Sequence, residues 1–123
     1  MRWIMLTYPG EAHVKAWEAA SPEQRRLEVE RTIAWFREHG AAGRIVGGEE
    51  LGDHRLAKTL RGRSVTDGPF AETKEHIGGF IVLEVADEAE AIRVAQGWVG
   101  LEWEGDAVEL RPAGDTVSDA GMR

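Results

Sequence analysis

From Arg2 to Tyr8 apolar residues occupy odd and even positions alike, and the run stops at Pro9-Gly10. A short apolar run closed by a turn pair predicts a strand. Glu11–Ala20 is polar and Ala-rich and reads as a connection. Ser21-Pro22-Glu23-Gln24 then supplies a helix start: Ser for the N-cap, Pro at the first helical position, and Gln three residues on to close a capping box. This helix is expected to run to His39 and stop at Gly40, with Val29, Ile33 and Phe36 as its buried stripe and Thr32 on the same face. Arg44–Glu50 predicts a strand loosened by Gly47-Gly48, and Leu56–Leu60 with Ser64–Asp67 predicts a hairpin turned at Arg61-Gly62-Arg63. Phe80–Val85 is a continuous apolar strand. Asp87-Glu88-Ala89-Glu90 repeats the capping logic and opens a second helix, with Ala89, Ile92 and Ala95 inward and an end near Gly97 or Gly100. Ala107–Arg111 alternates and stops at Pro112, which predicts the last strand.

The order β-α-β-hairpin-β-α-β predicts an α+β fold, the ferredoxin-like sandwich in which an antiparallel sheet carries both helices on one face. The first strand and Phe80–Val85 are apolar on both faces, yet two helices cover only one. A homodimer packed sheet against sheet hides the rest, in the manner of a dimeric α/β barrel, where a monomer would expose roughly several hundred Å² of apolar surface. A loop such as Gly97–Asp106, with Trp98, Leu101 and Trp103, folding over that face is the other way to cover it.

The chain has 123 residues, 15 Lys and Arg against 22 Asp and Glu, a net charge of −7, and no cysteine. One domain of this size needs no disulfide or structural metal to fold. Without cysteine there is no thiol catalysis and no thiolate metal site. The negative charge argues against nucleic acid, whose affinity comes mostly from Lys and Arg on phosphates. No apolar run approaches the length of a membrane span, and no signal-like stretch precedes Thr7, Tyr8 and Pro9, so a cytoplasmic protein is expected. No cofactor motif is present.

Candidate chemistry concentrates in Thr66-Asp67-Gly68-Pro69-Phe70-Ala71-Glu72-Thr73-Lys74-Glu75-His76. Asp67 suits an Asx-turn at a strand end, Pro69 drives Gly68 out of the helical region, and Phe70 can anchor the loop on the core. The loop then presents Glu72, Lys74, Glu75 and His76, either as ligand contacts or as a solvated charge run. The string Val65–Glu75 followed by Gly78-Gly79-Phe80 resembles the signature of the YCII-related family and its DGPF-domain group. Gly47-Gly48-Glu49 before Leu51 and the closing Val108-Glu109-Leu110-Arg111-Pro112 support the resemblance, which covers residues 1–113 and leaves a polar tail at 114–123.

The resemblance implies a dimeric ferredoxin-like fold. Members of the wider family are proposed to use a His–Asp pair in a cleft between helix and sheet, and one branch is a dehydrochlorinase-like lyase acting on a chlorinated aromatic. Anchored on Ala42-Gly43-Arg44-Ile45, the family's His falls at Thr32 and its Asp near Asp53. Thr is no general base near neutral pH, so any catalysis moves to Asp67, Glu49, Asp53 or Glu72, and a ligand to Asp67, Glu72, Lys74 and His76.

The four histidines, His13, His39, His54 and His76, have no helical metal-site spacing. His39 suits a cation in a last helical turn, and His13 and His54 fall in predicted loops, where solvent is expected. Glu49 and Glu50 point to opposite faces of their strand, so they cannot share a proton. Buried, Glu49 would become an acid–base candidate. Trp3 and Trp35 are expected in the core or interface and Trp17 over a cleft; the Trp98–Trp103 segment takes no role from the family. Three readings follow: a dimeric small-molecule-binding or accessory module, a lyase or hydrolase with a carboxylate base, and an interaction module for a sigma factor, since some relatives are encoded beside or fused to one.

Overall fold

A computed structural model of the chain describes residues 1–71 and 75–116. The apolar N-terminal run forms strand β1 (Arg2–Tyr8), antiparallel between β5 (Gly79–Glu84) and β6 (Ala107–Pro112), and β2 (Ile45–Glu50) pairs with the outer edge of β5. The order β2-β5-β1-β6 is that of a ferredoxin-like sheet. Helices α2 (Pro22–Ala41) and α3 (Glu88–Gln96) are its crossovers. The predicted hairpin forms as β3 (Lys58–Arg61) and β4 (Ser64–Asp67), a two-stranded sheet separate from the first. Gly62 makes its turn at φ 60°.

Both caps work as expected. Ser21 and Gln24 close the capping box of α2, and the Asp87 carboxylate accepts the Glu90 N–H at 2.8 Å at the start of α3. Alternation on the strands then decides the core. Trp3, Met5, Ile81 and Leu83 face the helices and pack with Trp35 of α2 and Ala91, Val94 and Ala95 of α3. Met5 and Leu83 are completely buried.

Several expectations give way. Glu11–Ala19 is not a connection but a helix, α1. Its last carbonyls are capped from α2, because the Arg25 guanidinium donates to the carbonyls of Trp17 and Glu18 at 3.0 Å each. The same guanidinium lies over the Trp17 ring, which therefore covers helix rather than a cleft.

The buried line of α2 is turned away from Val29, Ile33 and Phe36, which remain exposed, and runs through Thr32, Trp35 and His39. Polar contacts with α1 occupy its N-terminal half, and the bulkiest ring, Trp35, takes the core position. On α3 the inward residues are Ala91, Val94 and Ala95, while Ala89 and Ile92 are exposed. The sequence stripe was one step out of phase with the sheet.

The far face of the sheet carries Ile4, Leu6, Tyr8, Phe80 and Val82, each half-buried by its strand neighbours. The Gly97–Asp106 segment does not fold over it. Trp98 packs edge-on against Trp35 and Phe36, at 5.0 and 5.9 Å between ring centres, and so lies on the helical side.

Candidate functional site

Tyr8 ends β1 at the mouth of a cleft whose other walls are the loop after β2 and the chain leading into β5. Backbone bonds fix both walls to the sheet: the Gly78 N–H donates to the Thr7 carbonyl at 2.7 Å, and the Leu51 N–H to the Gly78 carbonyl at 2.9 Å. A side chain at 78 would collide with the Pro9 ring, 2.8 Å from a Cβ placed there, so glycine is what lets the walls close. On the signature side, the Gly68 N–H donates to the Ala57 carbonyl at 2.7 Å. Gly68 sits at φ 93°, the left-handed region glycine tolerates.

Asp53 shapes the loop after β2. Its carboxylate accepts the Arg55 N–H at 2.9 Å, starting a single 3-10 turn over His54–Leu56, and takes the Arg55 guanidinium at 2.6–3.1 Å. Those bonds, side chain first and backbone second, hold its carboxyl well below the usual carboxylate range. Asp53 is thus committed to holding the turn and is a poor proton acceptor. The turn delivers His54, whose ring lies flat on His76 with centres 3.7 Å apart and planes within 7°.

The cleft so formed has a volume of about 570 Å³. Leu51, Leu56, Pro69 and Ile77 make it apolar, and Tyr8, Asp53, His54, Glu75 and His76 supply polar groups. The Tyr8 hydroxyl donates to Glu109 at 3.0 Å. Burial, then that bond, raises its pKa, so it stays a donor. Among the described residues, no group of three or more His, Asp or Glu side chains is placed to hold a metal ion.

The structure brings His76 and Asp53 into this cleft and places Asp67 and Glu49 away from it. Asp67 points into solvent, with 85% of its side chain exposed, and pairs with Lys58 at 2.5 Å. Glu49 stands opposite Phe80 on the far face of the sheet and is exposed, so the burial that would recruit it to acid–base work is absent. Glu72 and Lys74 lie outside the described residues. Phe70 does not anchor the loop on the core: it is exposed, with the Arg61 guanidinium 4.6 Å above its ring. Thr32 donates its hydroxyl to the Glu28 carbonyl at 3.0 Å.

His54 is exposed as expected, but its stacking on His76 was not legible in the sequence, because that partner is far along the chain. His13 was expected in solvent too. Its Nδ1 meets Asp106 at 2.7 Å and its Nε2 meets Glu28, while Trp103 stacks on its ring. The Asp106 side chain is 3% exposed and also accepts the Gly10 N–H at 2.6 Å. Burial lowers the His13 pKa, but the bonds to Asp106 and Glu28 outweigh it and the net shift is upward. Both ring nitrogens are used, so this cluster ties α1 to α2 and to the loop before β6. His39 departs from expectation in the other direction. It is buried, and Arg44 donates to its Nδ1 at 2.9 Å, so burial first and Arg44 second push its pKa down and keep it neutral.

Comparison with known proteins follows the same lines. The family model of the YCII-related domain matches residues 1–98. An uncharacterized protein of Rhizobium meliloti (strain 1021) is 30% identical over 116 residues, 91% of either chain. A solved structure of 5-chloro-2-hydroxyhydroquinone dehydrochlorinase from Burkholderia phenoliruptrix AC1100, in complex with 2,5-dihydroxybenzoquinone, shares the fold. It is 13% identical, has a TM-score of 0.51, and the match covers 94% of this chain and 97% of the other.

Proposed function

The chain belongs to the YCII-related domain family, and we propose that within it this protein binds a small planar, oxygen-bearing ring compound in the His54–His76 cleft. The observation that carries the reading is the flat imidazole pair set in an apolar wall. Aromatic faces favour an offset stack with a further flat ring, imidazole N–H groups donate to oxygen substituents at its edge, and the Tyr8 oxygen, its own hydrogen given to Glu109, accepts from a ring hydroxyl. The cleft volume falls in the range of about 300–1,000 Å³ usual for ligand sites. The dehydrochlorinase of the same fold holds a compound of this shape and chemistry.

We propose further that two copies pack through Ile4, Leu6, Tyr8, Phe80 and Val82. The Gly97–Asp106 segment, the other cover the sequence offers for that face, is engaged on the helical side, and a second copy would bury it.

A lyase reading is favoured by a single observation, that His54 stands 3.7 Å from Asp53 in the same cleft. Imidazole is the side chain best suited to take a proton near neutral pH. Of the carboxylates proposed as a base, Asp53 is clamped by Arg55 and Asp67 and Glu49 lie elsewhere, so His54 is the base in this reading.

Calorimetric titration with 2,5-dihydroxybenzoquinone tests the binding reading. The wild type should bind and the His54→Ala/His76→Ala variant should bind much more weakly at unchanged fold. Equal binding by both would remove the cleft from the account. Release of chloride from a chlorinated hydroxyquinol, present in wild type and absent in that variant, would establish the lyase reading instead.

A further inference from the structure

Beyond the sheet lies the β3–β4 hairpin, whose substantial packing, among the described residues, is between its own two strands. A lone two-stranded hairpin is marginally stable in water, yet this one presents a cross-strand apolar pair to solvent. Leu60 and Val65 face each other in register and are 64% and 60% exposed. The ion pair of Lys58 with Asp67 extends the same face toward the base of the arm. Arg61 and Arg63 flank the tip.

The charge of this arm is opposite to that of the body that bears it. Lys58–Asp67 holds three cations against one carboxylate, a net of +2, in a chain whose net charge is −7, so the remainder carries −9. On the far face of the sheet, Glu49 stands beside the apolar surface and is exposed. The arm is thus apolar and cationic, and the body that bears it is acidic, with Glu49 exposed at the margin of the sheet.

We propose that the hairpin is an exchange arm: in the homodimer, each copy lays its Leu60–Val65 pair on the other copy, with Arg61 and Arg63 against the acidic margin at Glu49. This rests on the dimer reading above and adds which segment holds the two copies together. A cationic tip on an acidic partner steers association. The arm leaves the body between Ala57 and Gly68, beside the cleft lined by Leu56, Ala57 and Pro69, so its seating on the partner would also hold that wall of the cleft in place.

The test is sedimentation equilibrium of the full chain, wild type against Arg61→Glu/Arg63→Glu, at low and high salt, with circular dichroism to confirm the fold. The chain has no cysteine, so a nitroxide on Leu60→Cys reports the arm alone. The inference expects a wild-type dimer that weakens as salt rises, an increase of about tenfold or more in the dimer Kd on charge reversal, and an immobilised label. A wild-type dimer with unchanged affinity in the variant and a freely moving label overturns the arm and leaves the sheet-face dimer standing. A wild type that is monomeric throughout overturns both.

Discussion

The His54 ring lies flat on that of His76 at 3.7 Å, although 21 residues intervene in the sequence. Only the fold joins them: one rides on a turn capped by Asp53, the other on the chain entering β5. If the pair is one wall of a ligand site, a planar probe stacks on the outer face of one ring while the other ring backs and holds it. His54→Ala and His76→Ala should each weaken binding of a planar probe by about three- to tenfold, the worth of one aromatic contact. The double variant should lose less than the product of the two, because the rings act together. Isothermal titration of the three variants checks this.

Gly78 brings the two cleft walls together by passing within 2.8 Å of Pro9 at the position a Cβ would take. Neither the proline ring nor the backbone bond from Gly78 to Thr7 yields easily. Gly78→Ala should cost about 1–3 kcal/mol, several degrees in Tm, and should lower probe affinity as well. Thermal denaturation with and without probe separates the two effects.

Much of this fold was legible from sequence because strands and caps are local. The apolar runs at β1 and β5, the capping box at Ser21 and the turn at Gly62 each declare themselves within a few residues. The phase of α2 did not, since Trp35 rather than Phe36 faces the sheet only once α1 has taken the polar side of that helix. The helical state of Glu11–Ala19 was hidden because Arg25, from the next helix, caps its end. At the site, His76 was found through its signature neighbours. His54 and His13 were not, for their partners are set by tertiary packing.

His13 makes stability depend on pH with a defined sign. Its native pKa lies above the ordinary 6.5. Below pH 6.5 the imidazolium is present in both folded and unfolded chains, and its bonds to Asp106 and Glu28 contribute in full. As pH rises through the native value the proton leaves and that contribution is lost. His39 acts oppositely: its native pKa lies below 6.5, so its neutral, buried form loses stability as pH falls from 6.5 through that value. Denaturation curves should show His13→Gln removing the decline on the alkaline side. The substitution should also cost about 1.5–3 kcal/mol at pH 6, the range for hydrogen bonds to charged groups.

Leu83 is completely buried between the sheet and both crossover helices. Leu83→Ala should destabilise the fold by about 2–5 kcal/mol through lost transfer energy and the cavity left behind. Val65→Ala, on the exposed arm, should change monomer stability by well under that amount. Urea denaturation at low protein concentration measures both.

The most direct test of the central claim is a titration followed by the imidazole signals in NMR. The chain has four histidines, two in the cleft and two, His13 and His39, outside it. Adding 2,5-dihydroxybenzoquinone should shift the ring signals of His54 and His76 together and saturably, and leave those of His13 and His39 in place. Shifts confined to His13 or His39, or no shift at any ratio, would contradict the assignment of this cleft as the ligand site.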